Sequence, residues 1–191
     1  MTKGRLFVIT GPSGVGKGTL IRELLRRVPG LELSVSATTR APRTGEREGA
    51  DYHFLTEEEF DRLLAAGEFM EHASYSGHRY GTLRSEVERR LGLGRGVILE
   101  IEVQGARQIR ERVEDAVLVF VAPPEPEALR RRLESRGTDP PDQIDRRLAV
   151  AREEMEARSE FAHVIVNDTI ERASEELAGL VQEASGSELA R

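Results

Sequence analysis

The stretch Arg5-Leu-Phe-Val-Ile-Thr10-Gly11-Pro-Ser-Gly-Val-Gly16-Lys17-Gly-Thr19 decides the fold. Leu6–Ile9 is a continuous apolar run ending in Gly and Pro, the pattern of a strand buried on both faces. After Lys17, Leu20, Ile21, Leu24 and Leu25 recur at helical spacing until Pro29-Gly30 closes the element. Between strand and helix lie small residues and one lysine: Gly11, Pro12, Ser13, Gly14, Val15, Gly16, Lys17, Gly18 and Thr19. Glycines let backbone N–H groups close around an anion, and the helix N-terminus adds positive potential. In this context the segment reads as a phosphate-binding loop, with Lys17 bridging the β- and γ-phosphates of a nucleotide. The strict pattern has Ser or Thr after the lysine, but here Gly18 stands there and Thr19 follows one residue late. The hydroxyl that usually touches Mg²⁺ is therefore missing. The plainer reading of the loop is a tight strand–helix turn without a ligand.

Outward from this unit, Leu31–Ala37 reads as a strand and residues 38–51, rich in Arg, Thr, Gly and Glu, as loop. Thr56-Glu-Glu-Glu59 is a capping box opening a helix whose apolar face is Phe60, Leu63 and Leu64. Residues 69–80 alternate aromatic and polar side chains, which predicts short antiparallel strands. Next come a helix over 82–91, a strand over 97–103 carrying two carboxylates on one face, and a helix over 104–113. A strand over 116–122 precedes two helices, 125–136 and 142–158, separated by Gly137-Thr-Asp-Pro-Pro141. A strand over 164–166, a helix over 170–184 and a frayed tail, 185–191, complete the chain. Strands alternate with helices except in an insert at about 51–81. The fold class is thus α/β, one domain with a parallel sheet core and helices on both faces.

The 191 residues contain no cysteine, which excludes disulfides, thiolate metal sites and cysteine nucleophiles. No run nears the ~18 apolar residues of a membrane span, and the opening apolar run is too brief for a signal peptide. The expectation is a soluble, cytoplasmic protein with no membrane partner. A net charge of −6 argues against general nucleic-acid binding. Lys3 and Lys17 are the only lysines, whereas arginine is frequent, and several Arg sit in loops beside Gly, Pro or Thr. Arginine offers a planar donor fork suited to phosphate oxygens. His53, His72, His78 and His163 lack metal-ligand spacing and read as structural or exposed.

Longer motifs narrow the choice. Val35-Ser36-Ala-Thr-Thr-Arg40-Ala-Pro-Arg43-Thr-Gly45-Glu46 and Gly49-Ala-Asp51-Tyr52-His-Phe54 resemble the signature of guanylate kinases. So do Glu71 after Phe69, Tyr80-Gly81-Thr82, Glu100-Ile-Glu102-Val-Gln104-Gly105, Arg136-Gly137-Thr138 and Val166-Asn167-Asp168. The resemblance runs from about residue 4 to 184, in the family's order. It implies a P-loop NTPase-type core (4–33, 82–124 and 159–184), a mixed GMP-binding insert (about 34–81) and a helical lid (about 125–158).

The implied reaction is ATP-dependent phosphorylation of GMP to GDP, with Mg²⁺ as cofactor, ATP and GMP as partners, and dGMP and oligomeric state left open. By resemblance Arg40, Arg43, Tyr52 and Tyr80 hold the GMP phosphate. Ser36, Glu71 and Thr82 make the guanine-side contacts, and Glu102 is a further acceptor there. Lys17, Arg40, Arg43, Arg136 and Arg147 are the implied catalytic cations. Arg132, Arg136 and Asn167 join residues 11–19 in binding ATP. No direct protein ligand for Mg²⁺ is visible; ATP phosphates and water would hold it, with Glu100 reached through water. Asp139 stands where the family usually carries Glu, a departure within the lid turn. Each residue also has a plainer reading: Glu71 and Glu102 as surface carboxylates, Tyr52 and Tyr80 as packing aromatics, Arg132 and Arg147 as helix-surface charges. The rival function is a catalytically silent guanylate-kinase-like module that binds partner proteins. Lys17 and the arginines favour the enzyme.

Overall fold

A computed structural model describes residues 4–75, 77–135 and 140–186. Five parallel strands form the main sheet: β1 (Leu6–Thr10), β2 (Leu31–Leu33), β7 (Gly96–Glu100), β8 (Val117–Ala122) and β9 (His163–Val166). Their order is β2-β7-β1-β8-β9, so β1 is central and the loop after it opens at the middle of the sheet's C-terminal edge. That edge is where open parallel sheets bind ligands.

The alternation of side chains along β1 builds two cores from one strand. Phe7 and Ile9 face a cluster with Leu20 and Leu24 of α1 (Lys17–Arg27), and with Leu177 and Val181 of α7 (Ile170–Ala184). Leu6 and Val8 face the other cluster, with Val87 and Leu91 of α3 (Arg84–Gly92) and Ile109 of α4 (Val103–Arg112). All five residues of β1 are buried, as the continuous apolar run requires.

The expected single strand over 31–37 is broken. β2 ends at Leu33, and Ala37–Thr38 forms β3 in a second sheet. That sheet has order β4-β3-β6-β5, with β4 at His53–Phe54, β5 at Phe69–Tyr75 and β6 at His78–Leu83. It is mixed: β3 runs parallel to β4, while β3–β6 and β5–β6 are antiparallel. The capping box at Thr56 and Glu59 is formed and starts α2 (Glu57–Ala65). Phe60 of α2 stacks on Phe69, giving the insert its own small core. The strand expected over 97–103 stops at Glu100, and Glu102 is instead the residue capping α4. The two helices expected to form a lid are α5 (Pro126–Ser135) and α6 (Pro141–Glu156). Leu129 and Leu133 of α5 and Ile144 and Leu148 of α6 bury into the first core cluster.

Candidate active site

The phosphate loop is built where β1 ends and α1 begins. Gly11 has φ +141°, and a Cβ there would lie 2.2 Å from the Val121 carbonyl, so only glycine lets the loop leave β1 against β8. The Lys17 ammonium donates to the carbonyls of Gly11 (2.5 Å) and Pro12 (3.3 Å), folding back along its own loop. From behind, buried Asn167 donates its Nδ2 to the Val15 carbonyl at 2.7 Å. Arg132 donates to the same carbonyl (2.8 Å) and to that of Asn167 (2.7 Å). Arg132 and Asn167 thus brace the loop's back.

A cavity of about 590 Å³ runs from the loop to the second sheet. Ser13, Gly14, Gly16, Lys17, Gly18 and Thr19 line its donor end, with Arg147 of α6 above them. Ser36, Arg40, Arg43, Tyr52, Glu71 and Tyr80 line its far end, and Glu100 and Glu102 lie between. Gly11, Pro12, Val15, Thr82, Arg132 and Asn167 do not line it. Arg136 lies outside the described residues, as does Asp139.

At the far end Arg40 lies over the Tyr52 ring, 5.3 Å from its centroid, and binds both oxygens of Glu46 at 2.9 and 3.0 Å. Tyr80 packs edge-on to Tyr52 at 6.1 Å. The Arg43 N–H donates to Glu46 at 2.7 Å, which ties the two arginines to one carboxylate. Next to this cationic cluster, Glu71 of β5 is 3% exposed and pairs across the ladder with Thr82. The Thr82 hydroxyl donates to Glu71 Oε1 at 2.7 Å, and burial pushes the Glu71 carboxyl up to about 7 against the pull of that bond. A Cβ at Gly105 would come within 2.3 Å of Glu71 Oε2, so the bare α4 backbone makes room for the carboxylate.

Above the loop, α6 grips Ser13 from two sides. Arg147 donates to Ser13 Oγ at 2.9 Å, and the Ser13 N–H donates to Glu154 Oε2 at 3.1 Å. Burial, followed by the neighbouring Glu102 carboxyl, holds Glu154 well above the usual carboxylate range, with Lys17 opposing. Sequence reasoning gave Glu154 no role, although its spacing from Arg147 and Ala151 sets all three on one helical face. Glu46 and Gly105 stood inside quoted motifs without a role. The Gly105 contact crosses between segments, which spacing alone does not reveal, whereas Glu46 binds Arg40 and Arg43 within its own motif.

Among the described residues no group of three or more His, Cys, Asp or Glu side chains is arranged to hold a metal. A Cβ at Gly18 would lie 3.8 Å from both Glu100 oxygens, making Glu100 the acidic neighbour of the loop's missing hydroxyl. This donor set suits a divalent ion that arrives with nucleotide phosphates and keeps its waters, the habit of Mg²⁺.

A phosphate loop on the central strand of a parallel sheet, facing an acceptor sheet and capped by arginine-bearing helices, defines a P-loop nucleoside monophosphate kinase. The family model described as Guanylate kinase matches residues 3–184, and the chain belongs to the guanylate kinase family. A guanylate kinase of Rubrobacter xylanophilus is 54% identical over 182 residues, covering 95% of each chain. One from Synechococcus sp. (strain JA-3-3Ab) is 52% identical, over 94% of this chain and 83% of its own. The crystal structure of guanylate kinase from Anaplasma phagocytophilum superposes with a TM-score of 0.79 at 34% identity, covering 96% of this chain and 87% of that one.

Proposed function

We propose that the protein transfers the γ-phosphoryl group of ATP to GMP, yielding ADP and GDP, with Mg²⁺ as the accompanying ion. The observation that carries the choice of acceptor is Glu71, a buried carboxylate fixed by Thr82 beside an arginine–tyrosine cluster. Guanine presents an N1–H and an amino group along one edge, and a carboxylate accepts both. Adenine presents an unprotonated N1, which leaves the carboxylate facing an acceptor. Ser36 and Glu102 complete the base end, while Arg40, Arg43, Tyr52 and Tyr80 take the acceptor phosphate.

The acceptor oxygen is already anionic, so no general base is required. It attacks the γ-phosphorus as the bond to the β–γ bridging oxygen breaks, and the electron pair leaves on ADP. Catalysis then consists of alignment and of cations placed where charge gathers. Lys17 and the loop amides hold the β- and γ-phosphates; Arg147 and Arg136 supply positive charge to the transferring group; Arg132 and Asn167 keep the loop in shape. Glu100, beside the loop at Gly18, is the side chain that would hold the waters of an accompanying Mg²⁺, which would supply neutralising charge to the phosphates.

The test is Glu71→Gln, which keeps the shape but removes the charge and half the acceptor capacity. Sites built around such polar pairs reject the wrong ligand by ~10⁴-fold. The ratio of kcat/KM for GMP over AMP should collapse in the variant, mostly through KM for GMP, with KM for ATP nearly unchanged. An unchanged ratio would move base recognition away from Glu71. Absence of ADP formation with GMP in the wild type would favour a silent binding module.

A further inference from the structure

Strand β5, which carries Glu71, ends the second sheet: β6 pairs with it on one side, and helix α4 packs where a further strand could lie. An edge strand leaves every second residue's N–H and C=O without a partner in the ladder. Side chains of α4 take these groups at two residues. Gln108 Oε1 accepts the His72 N–H at 3.2 Å, and its Nε2 donates to the His72 carbonyl at 2.6 Å. One side-chain amide thus does for His72 what a residue of a neighbouring strand would do. A turn further along α4, the Arg112 guanidinium donates to the Met70 carbonyl at 2.8 Å.

Met70 is the extra residue of a β-bulge. Phe69 pairs with Leu83 and Glu71 with Thr82, so two steps along β5 match a single step along β6. Bulges bend a strand and re-aim its side chains. The side chain that follows this one is Glu71, the carboxylate read above as the acceptor for the guanine edge. Gln108 and Arg112 therefore hold the residues on either side of Glu71, while Gly105, on the same face of α4, leaves room for its Oε2. We propose that Gln108 and Arg112 are positioning residues that fix the β5 bulge, so that the preference for guanine over adenine is set through α4. This rests on the GMP reading above and adds the two residues that hold its selecting carboxylate in place. Neither lines the nucleotide cavity, so their effect on base choice passes through Glu71. Arg112 also favours the ionised form of Glu71 by its charge. Gln108 is neutral, and a substitution there separates aim from charge.

Steady-state kinetics with GMP and AMP as acceptors test this in Gln108→Met and Arg112→Met, which keep an unbranched side chain but lose the donors to β5. Sites that reject a wrong ligand by ~10⁴-fold through one polar pair lose that margin when the pair is misaligned, so the GMP-over-AMP ratio of kcat/KM should fall about tenfold or more in each variant. The loss should come through KM for GMP, with kcat at saturating GMP and KM for ATP within about twofold of wild type. Arg112 is exposed and Gln108 half-buried, so neither substitution opens the core, and thermal transitions check the fold. An unchanged ratio in either folded variant overturns the proposal. So does a loss of kcat alone, or an equal rise in KM for both substrates, which is what general loosening of the fold produces. A wild type with no preference for GMP over AMP overturns the GMP reading instead.

Discussion

Glu71 and Gly105 show how much of the acceptor end depends on one carboxylate and the space left for it. The α4 backbone passes so close that a methyl at position 105 would overlap Glu71 Oε2. Overpacking of this kind costs about 1–3 kcal/mol, and the carboxylate can relieve it only by turning away from Thr82. Gly105→Ala should therefore lower the thermal midpoint and raise KM for GMP, leaving ATP binding unchanged. A variant with wild-type GMP kinetics would show that Glu71 has freedom the packing does not suggest. The identity of Glu71 was readable from its motif, because the residue types and their order survive in one dimension. The need for Gly105 was not, because it arises from a contact between residues 34 positions apart.

Among the elements, β9 and α5 brace the phosphate loop from behind. Asn167 follows β9 and Arg132 lies on α5, and both close on the Val15 carbonyl. Removing a buried hydrogen-bonding partner costs about 1–3 kcal/mol. Asn167→Ala should lower stability on that scale and weaken ATP binding, with KM for GMP little changed. Equal losses for both substrates would mean that the brace reaches beyond the loop. The strand–loop–helix unit was legible because three local signals agree: an apolar run, small residues and a helical stripe. The ends of β2 and β7 were not. Apolar periodicity continues through Val35 and Val103, but at Leu33 and Glu100 the chain leaves the main sheet, a choice made by tertiary pairing.

At the scale of the molecule, the buried acids and a bridging histidine set a common pH trend. Glu71 is raised from its usual 4.5 to about 7, mainly by burial, so the folded chain holds a proton that the unfolded chain has released in that interval. Its contribution to stability is then full below 4.5 and declines as pH rises toward 7. His53 is raised by its bonds to Glu86 (2.9 Å) and Glu48 (3.1 Å) despite burial, so its contribution is present below 6.5 and lost above its folded titration. His72, held low by burial, acts in the opposite sense. The thermal midpoint should fall between pH 5 and pH 7.5, and saturating GMP, whose donors satisfy ionised Glu71, should flatten the decline. A midpoint that rises across this interval would contradict the assignment of buried, protonated acid.

The ammonium of Lys17 has a practical consequence that comes from what the rest of the chain lacks. It lines the cavity, and Lys3 is the only other lysine. A reagent that acylates amines therefore has two lysine targets, and Lys17 is the one that lines the cavity. Trypsin cuts after lysine and arginine, and blocking Lys17 fuses Leu6–Lys17 with Gly18–Arg22 into one fragment while the arginine cuts persist. The ratio of fused to separate fragments turns a routine digest into an occupancy gauge for the phosphate loop, readable by mass without any assay of turnover.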